Sequence, residues 1–279
     1  MRVEFADIAG SRIRIARGGS GSYPVVFIHG LGTQAERWIH NLDGLPPGFS
    51  SIAPDLLNNG FSADADFSGE APQRRHVRQI RELADHLDIG NCAVVGSSYG
   101  GLIAALFALE YPQRVSRLVI VGSGSALHPP QRQQAVLQAV KKNAIGAIEA
   151  GTLEACRARM AATSWQGREV SETMLPALLT ANALPGRRAS AVAFYDALID
   201  HAGQADCQSW PRLEELRMPT LIITGREDIR ASWEKAAEAS FRIPDCRLEI
   251  FEQCGHGPMA EQPERFNQVL GGFLAPLIH

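Results

Sequence analysis

The sequence places Gly96-Ser97-Ser98-Tyr99-Gly100 between an apolar stretch, Ala93-Val94-Val95, and an apolar run that continues to Tyr111. A serine centred in G-x-S-x-G, after a strand and before a helix, occupies a tight, strained turn that lifts its oxygen above a sheet edge. The flanking glycines remove side chains that would clash there. A serine hydroxyl is a weak nucleophile at neutral pH and needs a base. Of the eight histidines, His40, His76, His86, His128, His201 and His279 read as surface or packing residues, and His29 as structural. His256 differs, because it lies in the glycine-flanked segment Cys254-Gly255-His256-Gly257, after a late strand and before the last helix. In a parallel sheet that loop emerges at the same edge as Ser98. Asp228, in Gly225-Arg226-Glu227-Asp228, reaches that edge too and is the candidate to orient the imidazole, with Glu227 as its substitute. A bland role is also open to Asp228, as the cap of a helix starting near Ala231. The backbone amides of Leu31, in His29-Gly30-Leu31-Gly32, and of Tyr99 would receive an oxyanion. Together these groups fit covalent acyl transfer.

The elements that must position them follow from periodicity. Val3–Ile8 and Arg12–Arg17 read as alternating strands joined at Gly10-Ser11. Val25–Ile28, Phe49–Ala53, Ala93–Gly96, Arg117–Val121, Thr220–Thr224 and Arg247–Phe251 read as short strands, several of them apolar throughout as buried parallel strands are. Val77, Ile80, Leu83, Ala84 and Leu87 recur at three and four residues, predicting an amphipathic helix over Pro72–Leu87. Further helices are predicted over Gly100–Tyr111, Ala231–Ser240 and Pro263–Phe273. Strands alternating with helices of this length imply an α/β fold with a mostly parallel sheet. Between Ser125 and Trp210 the strand signal fades, and helical periodicity appears in Arg132–Ala144, Ala147–Met160 and Ala189–Ala202. The expected organisation is a core of residues 1–124 and 211–279, interrupted by a helical insertion of residues 125–210.

Composition narrows the function classes. The 279 residues are 45% hydrophobic and 20% charged, which argues against a disordered chain. A formal charge of −3 gives no reason to expect nucleic acid. Five widely spaced cysteines, with no CxxC, indicate neither a disulfide framework nor a zinc site. Cys92 and Cys254 read as packing thiols. The N-terminus has no basic-then-apolar leader and the apolar segments are short, so neither a signal peptide nor a membrane span is expected. Cytoplasm is the default location. There is no HExxH and no Gly-rich dinucleotide loop, so no metal or organic cofactor is implied. The expected partner is a small-molecule substrate, and a homo-oligomer is compatible with the sequence.

In these motifs, and in their order Ser, Asp, His, the chain resembles the α/β-hydrolase superfamily over nearly its whole length. The resemblance implies Ser98 as nucleophile, Asp228 as acid, His256 as base and Leu31 as the oxyanion residue after its His-Gly pair. Asp55-Leu56 and Gly60-x-Ser62 resemble that family's D-x-x-G-x-G-x-S segment, with Asn58 where its first glycine falls. The helical insertion resembles the family's cap, which roofs the pocket.

Substrate expectations rest on the same resemblance. An elbow serine is unlike the elbow aspartate of haloalkane dehalogenases and epoxide hydrolases. Meta-cleavage product hydrolases, which split a carbon–carbon bond, carry Asn beside the elbow serine and Trp after the catalytic histidine, where this chain has Ser97 and Gly257. On that ground a small-molecule carboxylic-ester or lactone hydrolase is the expected function. A carbon–carbon hydrolase of a 2-hydroxy-6-oxo-dienoate, a noncatalytic binding protein on the same shell, and acyl transfer to an alcohol or amine are the alternatives. Trp38, Leu127, Trp165, Phe194 and Met259 are expected to join Leu31 and Tyr99 in an apolar pocket. Arg157, Arg159, Arg187 and Arg188 could meet a substrate carboxylate, although an arginine run on a helix more commonly forms a solvated face.

Overall fold

The computed structural model describes residues 1–167 and 172–278; His279 lies outside them. Eight strands form one sheet: β1 (Arg2–Ile8), β2 (Ser11–Gly19), β3 (Tyr23–Ile28), β4 (Phe49–Pro54), β5 (Cys92–Ser97), β6 (Val115–Val121), β7 (Thr220–Gly225) and β8 (Cys246–Phe251), in the order β1-β2-β4-β3-β5-β6-β7-β8. β2 pairs antiparallel with β1 and β4, and every other pairing is parallel.

The period of two in the strands decides how the sheet is covered. Val26, Ile28, Val94, Leu118, Ile120 and Ile222 face one core, while Val25, Phe27, Val95, Val119, Val121, Leu221 and Ile223 face the other. The first core is closed by α1 (Pro72–His86) and α2 (Tyr99–Glu110). α1 contributes its stripe of Val77, Ile80, Leu83 and Ala84, and Pro72 stands at its start, where a missing N–H costs nothing. α2 is apolar all round, as suits a helix buried on every side. The second core is closed by α10 (Pro263–Leu274), through Phe266, Leu270 and Leu274.

Between β6 and β7 the chain forms α3 (Gly124–Leu127), α4 (Gln133–Ala150), α5 (Leu153–Ala161), α6 (Met174–Asn182) and α7 (Arg187–His201). The helix expected to end at Ala144 runs on to Ala150. It stops at Gly151, whose φ of +60° breaks the helix, and Thr152 then caps α5 by accepting the Ala155 amide. No helix was expected over α6; its Met174, Leu175 and Leu178 bury against Cys156 and Met160 in a small core belonging to the insertion. The remaining helices are α8 (Trp233–Ser240) and α9 (Pro258–Glu261). Among the described residues, no helix is long and apolar enough to cross a membrane.

Candidate active site

β5 delivers Ser98 to the carboxyl edge of the sheet in a strained conformation, φ 54° and ψ −120°. The neighbouring glycines are forced by contact. A Cβ on Gly96 would lie 2.1 Å from the Gly100 oxygen, and one on Gly100 would lie 2.2 Å from the Ile28 oxygen. The Ser98 amide donates to the Val121 carbonyl across 2.8 Å, which ties the turn to β6.

His256 Nε2 is 3.0 Å from Ser98 Oγ, and its Nδ1 is 2.8 Å from Asp228 Oδ2. Asp228 divides its oxygens: Oδ2 takes the imidazole, and Oδ1 accepts the Arg230 and Ala231 amides at 2.8 and 3.0 Å. The capping and orienting roles are therefore compatible in one side chain. A carboxylate on Nδ1 selects the tautomer whose Nε2 lone pair can take the serine proton. Glu227 does not reach His256; its Oε2 accepts the Cys254 amide at 2.8 Å and so fixes the loop that carries the base. Glu261 holds the same loop, accepting from Gly255 (2.8 Å), Gly257 (3.0 Å) and, in the insertion, Trp165 (2.9 Å).

The loop after β3 passes directly over the serine: a Cβ on Gly30 would lie 3.1 Å from Ser98 Cβ. His29 locks it, since Nδ1–H donates to the Gly30 carbonyl at 2.8 Å and Nε2 accepts the Leu56 amide at 2.9 Å. Burial lowers the His29 pKa, opposed by nearby Asp55, consistent with a neutral, structural ring. Among the described residues, the amides of Leu31 and Tyr99 have no protein acceptor. Free N–H groups at this edge are what a developing oxyanion needs. Asp55 supports the loop by accepting the Ala35 and Phe61 amides at 2.8 and 2.9 Å. Asn58 has a φ of 61°, a left-handed conformation that Asn tolerates better than most side chains, which explains how it stands in a glycine position.

A cavity opens above Ser98, between the sheet edge and the helices of the insertion, and Leu31, Tyr99 and His256 line it. The rest of its wall differs from the one expected. Trp38 is buried in the second core, its ring 5.1 Å from Phe27 and 6.1 Å from Phe266, and Met259 is buried in the same core. Phe194 stacks among Phe67, His76, Tyr99 and Tyr195, and Leu127 packs in the first core. Trp165 is half-buried away from the cavity wall. Trp38, Met259, Phe194 and Leu127 are sequestered because two cores and an aromatic cluster offer them complete burial. The apolar wall comes from Leu102, Val136, Leu137, Val140, Met160 and Leu198.

Of the four arginines singled out in the insertion, Arg159 alone lines the cavity. Arg157 pairs with Glu172, Arg187 with Asp64 and Arg188 with Glu149. Sequence reasoning missed Arg37, His128 and Arg230, which also line the cavity. Arg230 stands two residues past Asp228, a position from which it could have been found; nothing local marks the other two. Burial brings the Arg37 pKa down to about 10, opposed by Glu261 and reinforced by Arg159 and Arg230. Burial, then Arg159, also lowers Arg230. The cavity wall is thus electropositive beside a nucleophile.

Residues 23–263 match the family model described as alpha/beta hydrolase fold. The chain belongs to that family. It is 28% identical over 261 residues to the 2-hydroxy-6-oxononadienedioate/2-hydroxy-6-oxononatrienedioate hydrolase of Paraburkholderia xenovorans, covering 92% of this chain and 88% of the relative. The enzyme of the same name from Escherichia coli is 29% identical, with 95% and 91% covered. The crystal structure of a meta-cleavage product hydrolase, CumD, superposes with a TM-score of 0.80 at 26% identity, covering 98% of both chains. This member of the alpha/beta hydrolase fold is a serine hydrolase similar to enzymes named for 2-hydroxy-6-oxo-dienedioates and for meta-cleavage products. The expectation of a carboxylic-ester or lactone hydrolase, drawn from Ser97 and Gly257, is corrected by these relatives. A serine, a base and two free amides suit the tetrahedral oxyanion of either chemistry, so the elbow motif does not distinguish them, and two flanking positions are too few to decide the substrate.

Proposed function

We propose that this hydrolase cleaves the carbon–carbon bond next to the C6 ketone of a 2-hydroxy-6-oxo-dienoate, giving a carboxylic acid and a 2-hydroxydienoate. The observation that carries the reading is the alignment, over 92–95% of this chain, with hydrolases named for such substrates. The hydrogen-bonded series Ser98, His256, Asp228 supplies chemistry that fits it.

The dienol first ketonises, its hydroxyl proton being lost and a proton being added at C5, so that C5 becomes a saturated carbon flanked by the C6 ketone. Ser98 Oγ then attacks C6 while His256 Nε2 takes the serine proton, with Asp228 stabilising the imidazolium. The oxyanion rests on the Leu31 and Tyr99 amides. Its collapse breaks the C5–C6 bond, and the electron pair runs through the C3–C4 double bond onto the C2 oxygen, which takes a proton from His256. Water activated by His256 then releases the acid from Ser98.

The test is rapid mixing with 2-hydroxy-6-oxohepta-2,4-dienoate, following the dienolate absorbance. Wild-type protein should consume it, and S98A should bind it without cleavage. Folded wild-type protein that leaves the dienoate intact would overturn the reading.

A further inference from the structure

Two guanidiniums on the cavity wall lack the carboxylate partner that Arg157, Arg187 and Arg188 have. Arg159, from α5, donates through Nη1 to the Gly32 carbonyl at 2.6 Å and through Nη2 to the Leu31 carbonyl at 3.1 Å. Neither contact neutralises its charge. Arg230, from the loop after β7, donates its backbone amide to Asp228, but its guanidinium has no hydrogen bond or ion pair among the described residues. The carboxylate nearest to it in sequence, Asp228, is engaged by His256 and two amides. By contrast, Arg157, Arg187 and Arg188 each have a carboxylate within 3.2 Å. Half-buried cations that line one cavity and repel each other without an anion are costly, and a carboxylate bridging two planar guanidiniums relieves both the repulsion and the unmet hydrogen bonding.

We propose that Arg159 and Arg230 form a carboxylate-binding subsite in this cavity, and that the carboxylate bound there also braces the oxyanion loop through Arg159. The acid's identity as a dienoate rests on the carbon–carbon reading above; the subsite itself does not. Arg230 is a binding residue. Arg159 both binds and positions, because it grips the carbonyl of Leu31, the residue whose amide faces the oxyanion. An anionic substrate draws the two guanidiniums together and so completes the loop that will stabilise its own transition state.

The subsite is tested by calorimetric titration of S98A protein with hexanoate and methyl hexanoate, and with the dienoate and its methyl ester. The acid should bind more tightly than the ester in each pair. R230Q or R159Q in the S98A background should weaken acid binding by about 10- to 100-fold, as expected for losing a hydrogen bond to a charged group, and erase the preference. R230K, which keeps the charge, should retain part of it and guards against a folding defect in the glutamine variant. In turnover, R230Q should act mainly on KM, whereas R159Q and R159K should lower kcat as well, because neither replacement can grip both carbonyls. Equal affinity for acid and ester in arginine-intact protein overturns the subsite. A kcat for R159Q equal to wild type overturns the bracing. If wild type fails to consume the dienoate while the hexanoate preference persists, the carbon–carbon reading falls and the subsite stands; dienoate turnover with charge-blind binding gives the reverse.

Discussion

The backbone amide of His256 donates to the carbonyl of Thr163 across 2.9 Å, so the base of the candidate active site hangs partly from the helical insertion. Glu261 reinforces the junction from the core side by gripping Gly255, Gly257 and Trp165. The insertion therefore roofs the cavity and also helps to set the imidazole.

Glu261→Gln keeps the size of the side chain but presents an NH2 group to amides that need an acceptor. It should lower stability by about 1–3 kcal/mol and reduce turnover as the His256 loop loosens. Thermal melting and steady-state kinetics on one preparation check both effects. Wild-type melting together with wild-type kcat would show that the clamp is dispensable.

Ser98→Ala should cost about four orders of magnitude or more in kcat with the fold retained. Ser98→Gly should be equally inactive yet more stable than Ser98→Ala by about 1–2 kcal/mol, since glycine accepts the positive φ without strain. Chemical denaturation of the two variants side by side reads the difference.

Asp228→Asn should lower kcat by about four orders of magnitude, because an amide on Nδ1 no longer enforces the useful tautomer. Glu227→Gln should be far milder, since Glu227 holds the Cys254 amide and does not touch the imidazole. Equal losses in the two variants would reopen the choice of orienting acid.

His76 predicts a pH dependence of stability. It is fully buried, with Nδ1 2.9 Å from the Tyr99 hydroxyl and Nε2 3.2 Å from the Leu57 carbonyl, and burial pushes its pKa down to about 3 from 6.5. The unfolded chain therefore binds a proton that the folded protein refuses. This contribution to stability is complete above pH 6.5 and is lost as pH falls toward 3, at up to about 1.4 kcal/mol per pH unit. Urea midpoints measured across that window should fall with pH, and His76→Gln should flatten the slope. An unchanged slope in the variant would place the acid sensitivity elsewhere, with buried His29 the next candidate.

The local parts of this protein were legible in its sequence, because each rests on short-range physics. Short apolar runs such as Val25–Ile28 and Ala93–Gly96 marked buried strands from their composition alone, and the structure then divided Val26 and Ile28 from Val25 and Phe27 between its two cores. The glycines around Ser98 announced a turn that only small residues permit, and chain order set Asp228 and His256 at the edge where Ser98 emerges. What lines the cavity depends on which surfaces of several segments meet, and no periodicity encodes that. Trp38, Leu127, Phe194 and Met259 have the character of pocket residues, but the two cores of the sheet bury them more completely. Arg37, Arg159 and Arg230 lie far apart in the chain, and folding alone gathers their charges beside the serine. Which apolar side chains reach full burial, and which charges come to line the cavity, depends on contacts between distant segments, and only the tertiary structure decides that.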